Sequence, residues 1–118
     1  MFHKGEIKIT GFGLCKIIEA SDVSKIGLTS QGVGTYWYLP PECFEMNRDK
    51  PPKISSKVDI FSIGVIFYEL LYGIKPFGHN MSQEKIFKEH IMLNAKKPSF
   101  PGSPKVTKQA KRFIEDLL

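Results

Sequence analysis

Residues 55–73, SSKVDIFSIGVIFYELLYG, constrain this chain more than any other stretch. Val58, Ile60, Phe61, Ile63, Val65, Ile66, Phe67, Leu70 and Leu71 fall on nearly every side of a helical wheel. Ser55 or Ser56 is placed to cap the start of a helix, Gly73 to end it, and Pro76 follows as a stop. Asp59 and Glu69 interrupt the apolar run, which stays below membrane-spanning length. A helix apolar nearly all round has to be wrapped by protein on most sides, so this segment is predicted to be the core.

Composition is compatible with that. In 118 residues, 42% hydrophobic and 25% charged, there is room for one domain with a buried core, and the balance is not that of a disordered tail. The net charge of +5 raises the question of nucleic acid. The lysines are scattered, the group Lys105, Lys108, Lys111 and Arg112 is short, and no aromatic residues interleave with them as a stacking platform. A solvated basic surface is the favoured reading, and nucleic acid is not an expected partner. Cys15 and Cys43 form no CxxC pair and, with His3, His79 and His90, offer no zinc spacing. They read as reduced structural thiols. The opening MFHKGEIKIT lacks the apolar core of a signal peptide. A soluble intracellular protein with no membrane partner is expected.

Around the central helix the other elements are shorter. EIKIT (6–10) alternates as a strand does, with Ile7 and Ile9 expected to face inward and its pairing partner expected outside this chain. Residues 14–35 read as one long loop, followed by a helical turn from Glu42 to Phe44 behind Pro40 and Pro41. NRDKPPKIS (47–55) reads as an exposed loop. Asn80 or Ser82 can cap a second helix over 82–94, the Asn80 and Gln83 spacing resembling a capping box. After a proline-punctuated linker, Thr107 can cap a third helix, 107–118, with Ala110, Phe113, Ile114, Leu117 and Leu118 on one face. That pattern is still running at Leu118, so the chain reads as cut at both ends.

In this order the pieces resemble the lower half of a eukaryotic protein kinase. GFG (11–13) stands at the family's DFG position, GTYWYLPPE (34–42) resembles the loop ending in APE, and SSKVDIFSIGVIFYELLYGIKPF (55–77) resembles the buried central helix. LTSQGVGTYWYLPPECF, PPKISSKVD and KPFGHNMSQ together are similar to the Tousled-like serine/threonine kinases, nuclear enzymes linked to chromatin assembly. The resemblance implies a mainly α fold: a partial kinase C-terminal lobe with one short N-terminal strand, a long activation-type loop (11–42) and three main helices, about 56–72, 82–94 and 107–118. On that resemblance the N-lobe and catalytic loop are expected to be absent from this chain.

The resemblance also implies roles for single residues, each beside a plainer one. Thr35 matches the threonine that steadies the catalytic aspartate, or is a turn residue. Trp37 and Tyr38 could line a peptide site, or pack. Asp59 matches the helix aspartate that holds the catalytic loop, or is a first-turn acid favoured by the helix dipole. Glu42 matches the glutamate that pairs with a later arginine. Phe12 and Gly13 keep their structural places. Thr29 and Ser30 lie where many kinases are phosphorylated, or are ordinary loop residues.

Gly11 is the sharpest departure. Phosphoryl transfer rests on positioning and charge neutralisation, with a carboxylate at this position on the metal. Glycine has no side-chain oxygen to offer Mg²⁺. No glycine-rich GxGxxG loop, VAIK-like lysine or HRD-like segment occurs. No cofactor is therefore expected for this chain, although ATP and Mg²⁺ serve the family. Three functions are weighed: an inactive relative that binds the partners of an intact kinase, a piece of an active nuclear kinase, and, behind both, a basic nucleic-acid-binding module.

Overall fold

The computed structural model describes residues 1–15, 35–45 and 55–118. Three helices carry it. The first, α1 (Lys57–Tyr72), ends where Gly73 turns left-handed (φ 71°) and its N–H donates to the Glu69 carbonyl, closing the last turn. Its start is held by Ser55, whose hydroxyl accepts from the Lys57 N–H, and the Ser56 side chain makes no capping bond.

The second helix, α2 (Gln83–Lys88), is shorter than its periodicity suggests. Ser82 is its cap, accepting from the Lys85 N–H, while Asn80 sits in the left-handed region and caps nothing. The helix stops six residues early because His90 adopts φ 52°, and two bonds then close its end: Ile91 N–H to Ile86 O and His90 N–H to Phe87 O. This reversal lets Ile86 and Met92, on either side of the turn, both become fully buried. Apolar spacing alone reads straight through such a turn. The third helix, α3 (Lys108–Leu117), is capped by Thr107, whose hydroxyl accepts from the Ala110 N–H, and it buries Ile114 completely.

The core joins α1 to its neighbours. Phe61, Val65, Ile86, Met92, Cys43 and Phe44 are buried together, with Phe77 stacked on Phe61. Further along α1, Tyr68 is buried against Tyr72 and Phe100, and its hydroxyl donates to the Ser99 carbonyl. Gly64 is the crossing point with α3: a methyl group there would stand 2.8 Å from Leu117 Cβ. The wrapping is one-sided, however. Ile60, Ile63, Ile66 and Leu70 are 39–56% exposed, because the packed elements cover only part of the helix circumference.

The amino-terminal strand departs further from its sequence reading. Residues Glu6–Ile7 (β2) pair antiparallel with Phe2–His3 (β1), so the partner lies within the chain, two residues away through Lys4 and Gly5. Both turn residues have positive φ, as a tight hairpin requires. Ile7 and Ile9 are 75% and 84% exposed rather than inward-facing, because no described element covers this hairpin. Alternation identifies two faces of a strand. It does not supply a layer to bury either one.

Candidate functional site: a loop platform docked on the central helix

The segment 35–45 folds as two short 3₁₀ turns, Tyr36–Tyr38 and Pro41–Phe44. Pro40 and Pro41 favour this: Pro40 is extended and buried, and Pro41 opens the second turn, where its missing N–H costs nothing. Thr35 serves as the turn residue: its carbonyl accepts from the Tyr38 N–H and its side chain caps nothing.

Side chains from α1 and from the stretch after it hold the first turn in place. Ser62 Oγ lies 2.8 Å from the Tyr38 carbonyl and 3.1 Å from that of Val58, and can donate to either. One helical face carries both Ser62 and Glu69, and Glu69 Oε2 accepts from the Tyr38 hydroxyl at 2.7 Å. Lys75 Nζ reaches the other oxygen, Oε1, at 3.0 Å. The Trp37 indole N–H donates to the Gly78 carbonyl at 2.7 Å, and the Tyr36 N–H donates to Gln83 Oε1 at 3.0 Å. Tyr36 also packs edge-on against Phe44. The three consecutive aromatic residues are each anchored and each half-buried.

This arrangement shifts the ionisations in opposite directions. Burial and the Glu69 carboxylate push the Tyr38 hydroxyl up to about 12. The hydrogen bond from Tyr38, with help from Lys75 and against burial, holds Glu69 below the ordinary carboxylate value. Burial, then the nearby Glu42, pushes the Cys43 thiol up to about 11, so it remains a packed, protonated group. Cys15 is exposed, and both cysteines are free.

The remaining positions singled out from sequence do not converge on this platform. Gly11 (φ 81°) precedes the 3₁₀ turn Phe12–Leu14, Phe12 is 66% exposed, Gly13 is exposed, and a methyl group at Gly11 would touch no described residue within 4 Å. Asp59 is an exposed first-turn acid of α1. Glu42 is half-buried in the first turn of Pro41–Phe44; its carbonyl accepts from the Glu45 N–H, and its carboxylate makes no hydrogen bond or ion pair with the described residues. Thr29 and Ser30, with most of the two long loops, lie outside the described residues. Among the described residues no three histidine, cysteine or acidic side chains gather as metal ligands, and Gly11 brings no side-chain oxygen of the kind Mg²⁺ favours. No described helix is long and apolar enough to cross a membrane.

Sequence reading missed Ser62, Glu69, Lys75, Gly78 and Gln83. A signal for two of them was present: Ser62 and Glu69 are polar interruptions two turns apart in an otherwise apolar helix. The other three lie in a loop and at a helix start, where spacing carries no such information.

The lower-lobe architecture, with a proline-ended loop clamped to a half-buried central helix, has its counterpart in the protein kinase domain family, which matches residues 1–118. The chain belongs to that family. Within it the similarity is to Tousled-like serine/threonine kinases: 56% identity over 117 residues to serine/threonine-protein kinase tousled-like 2 of Xenopus tropicalis, covering 97% of this chain and 17% of the frog protein. The human tousled-like 2 protein is also 56% identical, with 15% of its length covered, and TOUSLED of Arabidopsis thaliana is 53% identical, with 17% covered. The chain thus spans about a sixth of the length of these relatives. Its mainly helical fold is that of part of a kinase C-terminal lobe.

Proposed function

We propose that this chain is a catalytically inactive relative of the Tousled-like kinases and acts by binding, in the nucleus, protein partners of the intact enzymes. The observation that carries this is Gly11. In the family that position supplies a carboxylate to the metal, and here stands a left-handed glycine with no described residue within 4 Å of where its Cβ would be. The loop platform supports the binding half of the reading, since the turn is held through the Tyr36 N–H, the Trp37 indole and the Tyr38 hydroxyl while its three aromatic residues stay only half-buried. Preorganised aromatic edges suit polypeptide docking because little side-chain freedom is lost on contact.

A second reading is favoured by one observation. The 35–45 platform is fully assembled, as a phosphorylating enzyme would need it to be. On that reading the chain is a portion of an active ATP- and Mg²⁺-dependent serine/threonine kinase.

The test uses the whole polypeptide in which these residues occur, purified free of other kinases. It is incubated with Mg²⁺ and radiolabelled ATP in the presence of a protein substrate, and its melting is followed with and without Mg²⁺-ATP. Neither labelling nor thermal stabilisation is the expected result. Transfer of label, abolished by a change within the same polypeptide, overturns the inactive reading and establishes the second.

A further inference from the structure

Glu69 does more than receive Tyr38. With Trp37 and Tyr38 it forms three sides of a receptor for a positive charge: two ring faces and a carboxylate. Rings of this kind attract cations through their negative faces, and a carboxylate beside them adds direct charge pairing. The receptor is already filled. Lys75 Nζ lies 5.6 Å from the Trp37 ring centroid, 5.9 Å from that of Tyr38 and 3.0 Å from Glu69 Oε1. The side chains of Lys75 and Glu69 retain 24% and 32% exposure, so the receptor opens to solvent.

The backbone delivers this lysine. Gly73 turns the chain back at the end of α1, and the Lys75 N–H donates to His79 Nδ1 at 3.2 Å. The ammonium is thereby directed over the Tyr36–Tyr38 turn. Both Glu69 oxygens are engaged, one by Tyr38 and one by Lys75.

We infer that Lys75 is a specificity-determining residue, an internal occupant that closes the Trp37–Tyr38–Glu69 cation receptor and makes the platform reject arginine- and lysine-bearing segments. This rests on the reading that residues 35–45 meet a polypeptide. An incoming basic side chain finds the carboxylate neutralised and must displace a tethered lysine. Neutral segments instead find two partly exposed rings.

Trp37 is the single tryptophan, so its fluorescence reports on this receptor alone. The probe is a blocked tetra-arginine peptide, titrated into the polypeptide described above, with any tryptophans outside residues 1–118 replaced by phenylalanine. The parent is expected to show no saturable change at Trp37. Lys75→Met and Lys75→Gln are expected to show saturable binding of the probe, at least about tenfold tighter than the weakest affinity the titration could detect for the parent. Adding Glu69→Gln to either should remove the gain. Lys88→Met deletes an equal charge from the exposed Lys88–Glu84 pair and should leave binding at the parent level. The inference is overturned if the parent binds as well as the Lys75 variants, if Lys88→Met gives the same gain, or if the gain survives Glu69→Gln. Should neither Lys75 variant keep the parent near-ultraviolet circular dichroism, Lys75 is a folding element and the inference is likewise overturned. None of these readouts depends on phosphate transfer, so failure here is separable from failure of the inactive-relative reading.

Discussion

Two faces of α1 are built from the same kinds of residue and have opposite fates. Phe61, Gly64, Val65 and Tyr68 lie on one arc of the helix and are buried; Ile60, Ile63, Ile66 and Leu70 lie on another and are 39–56% exposed. Hydrophobicity does not separate them, since the exposed arc is the more aliphatic. What separates them is whether another element can approach. Gly64 lets α3 come close, and Ser62 and Glu69 bind the Tyr36–Tyr38 turn, so each packed boundary is marked by a residue that is not a large hydrophobe. On the exposed arc Asp59 binds no described element, and only Phe67 at its edge meets α3, edge-on against Phe113. A contiguous apolar stripe of this kind is the sort of surface that marks an interface or an aggregation hazard.

The contrast can be broken from the buried side first. Phe61→Ala should cost about 3–5 kcal/mol, read from the urea midpoint. Ile63→Ala, at similar hydrophobicity, should cost about 0.5 kcal/mol or less. Equal losses would mean that the two arcs are not different in solution.

Next is Gly64→Ala. The added methyl would stand 2.8 Å from both Leu117 Cβ and Leu118 Cδ2, so α3 must shift. A loss of about 1–3 kcal/mol is expected, with faster hydrogen exchange concentrated in residues 108–117. Exchange rising equally throughout the chain would argue against a local crossing point.

Ser62→Ala removes the donor to the Tyr38 carbonyl and should cost about 1 kcal/mol. The emission of Trp37, next to the loosened residue, should shift at the same time. An unchanged spectrum would mean that Glu69, Gly78 and Gln83 hold the turn without Ser62.

The pH dependence sharpens the same boundary from both ends. Glu69 titrates below its ordinary value of 4.5 in the fold, so its contribution is present above that value and is lost as acid carries pH down through the lowered one. Tyr38 is raised from 10.0 to about 12, so its contribution is whole below 10.0 and disappears as pH climbs through about 12. Glu69→Gln should flatten the acid limb and Tyr38→Phe the alkaline limb of a stability–pH curve. If neither limb changes, the Tyr38–Glu69 bond is not formed in solution. The smallest effect belongs to Ile63→Ser with Ile66→Ser: little change in stability, and a measurable drop in binding of an apolar dye.

Much of the helical architecture was readable before any coordinates. The caps of α1 and α3 are local chemistry: Gly73 takes a left-handed turn without a Cβ clash, and Thr107 places an oxygen where free N–H groups need one. The early end of α2 was not readable, because His90 in a left-handed conformation is compensated only by the joint burial of Ile86 and Met92. The hairpin was misjudged for a related reason. Pairing over two residues needs only a permissive turn, whereas the inward face expected for Ile7 and Ile9 needs a second layer.

By itself, the order of residues determined the family, the central helix and its ends, and a glycine rather than a carboxylate at position 11. Each of these depends on what one residue or one short run can do. Only the tertiary structure decided which arc of α1 is covered, that Lys75 closes over Trp37 and Tyr38, and that Ser62, Gly78 and Gln83 hold the aromatic turn. Those outcomes arise from contacts between segments tens of residues apart, and such contacts depend on three-dimensional approach rather than on periodicity.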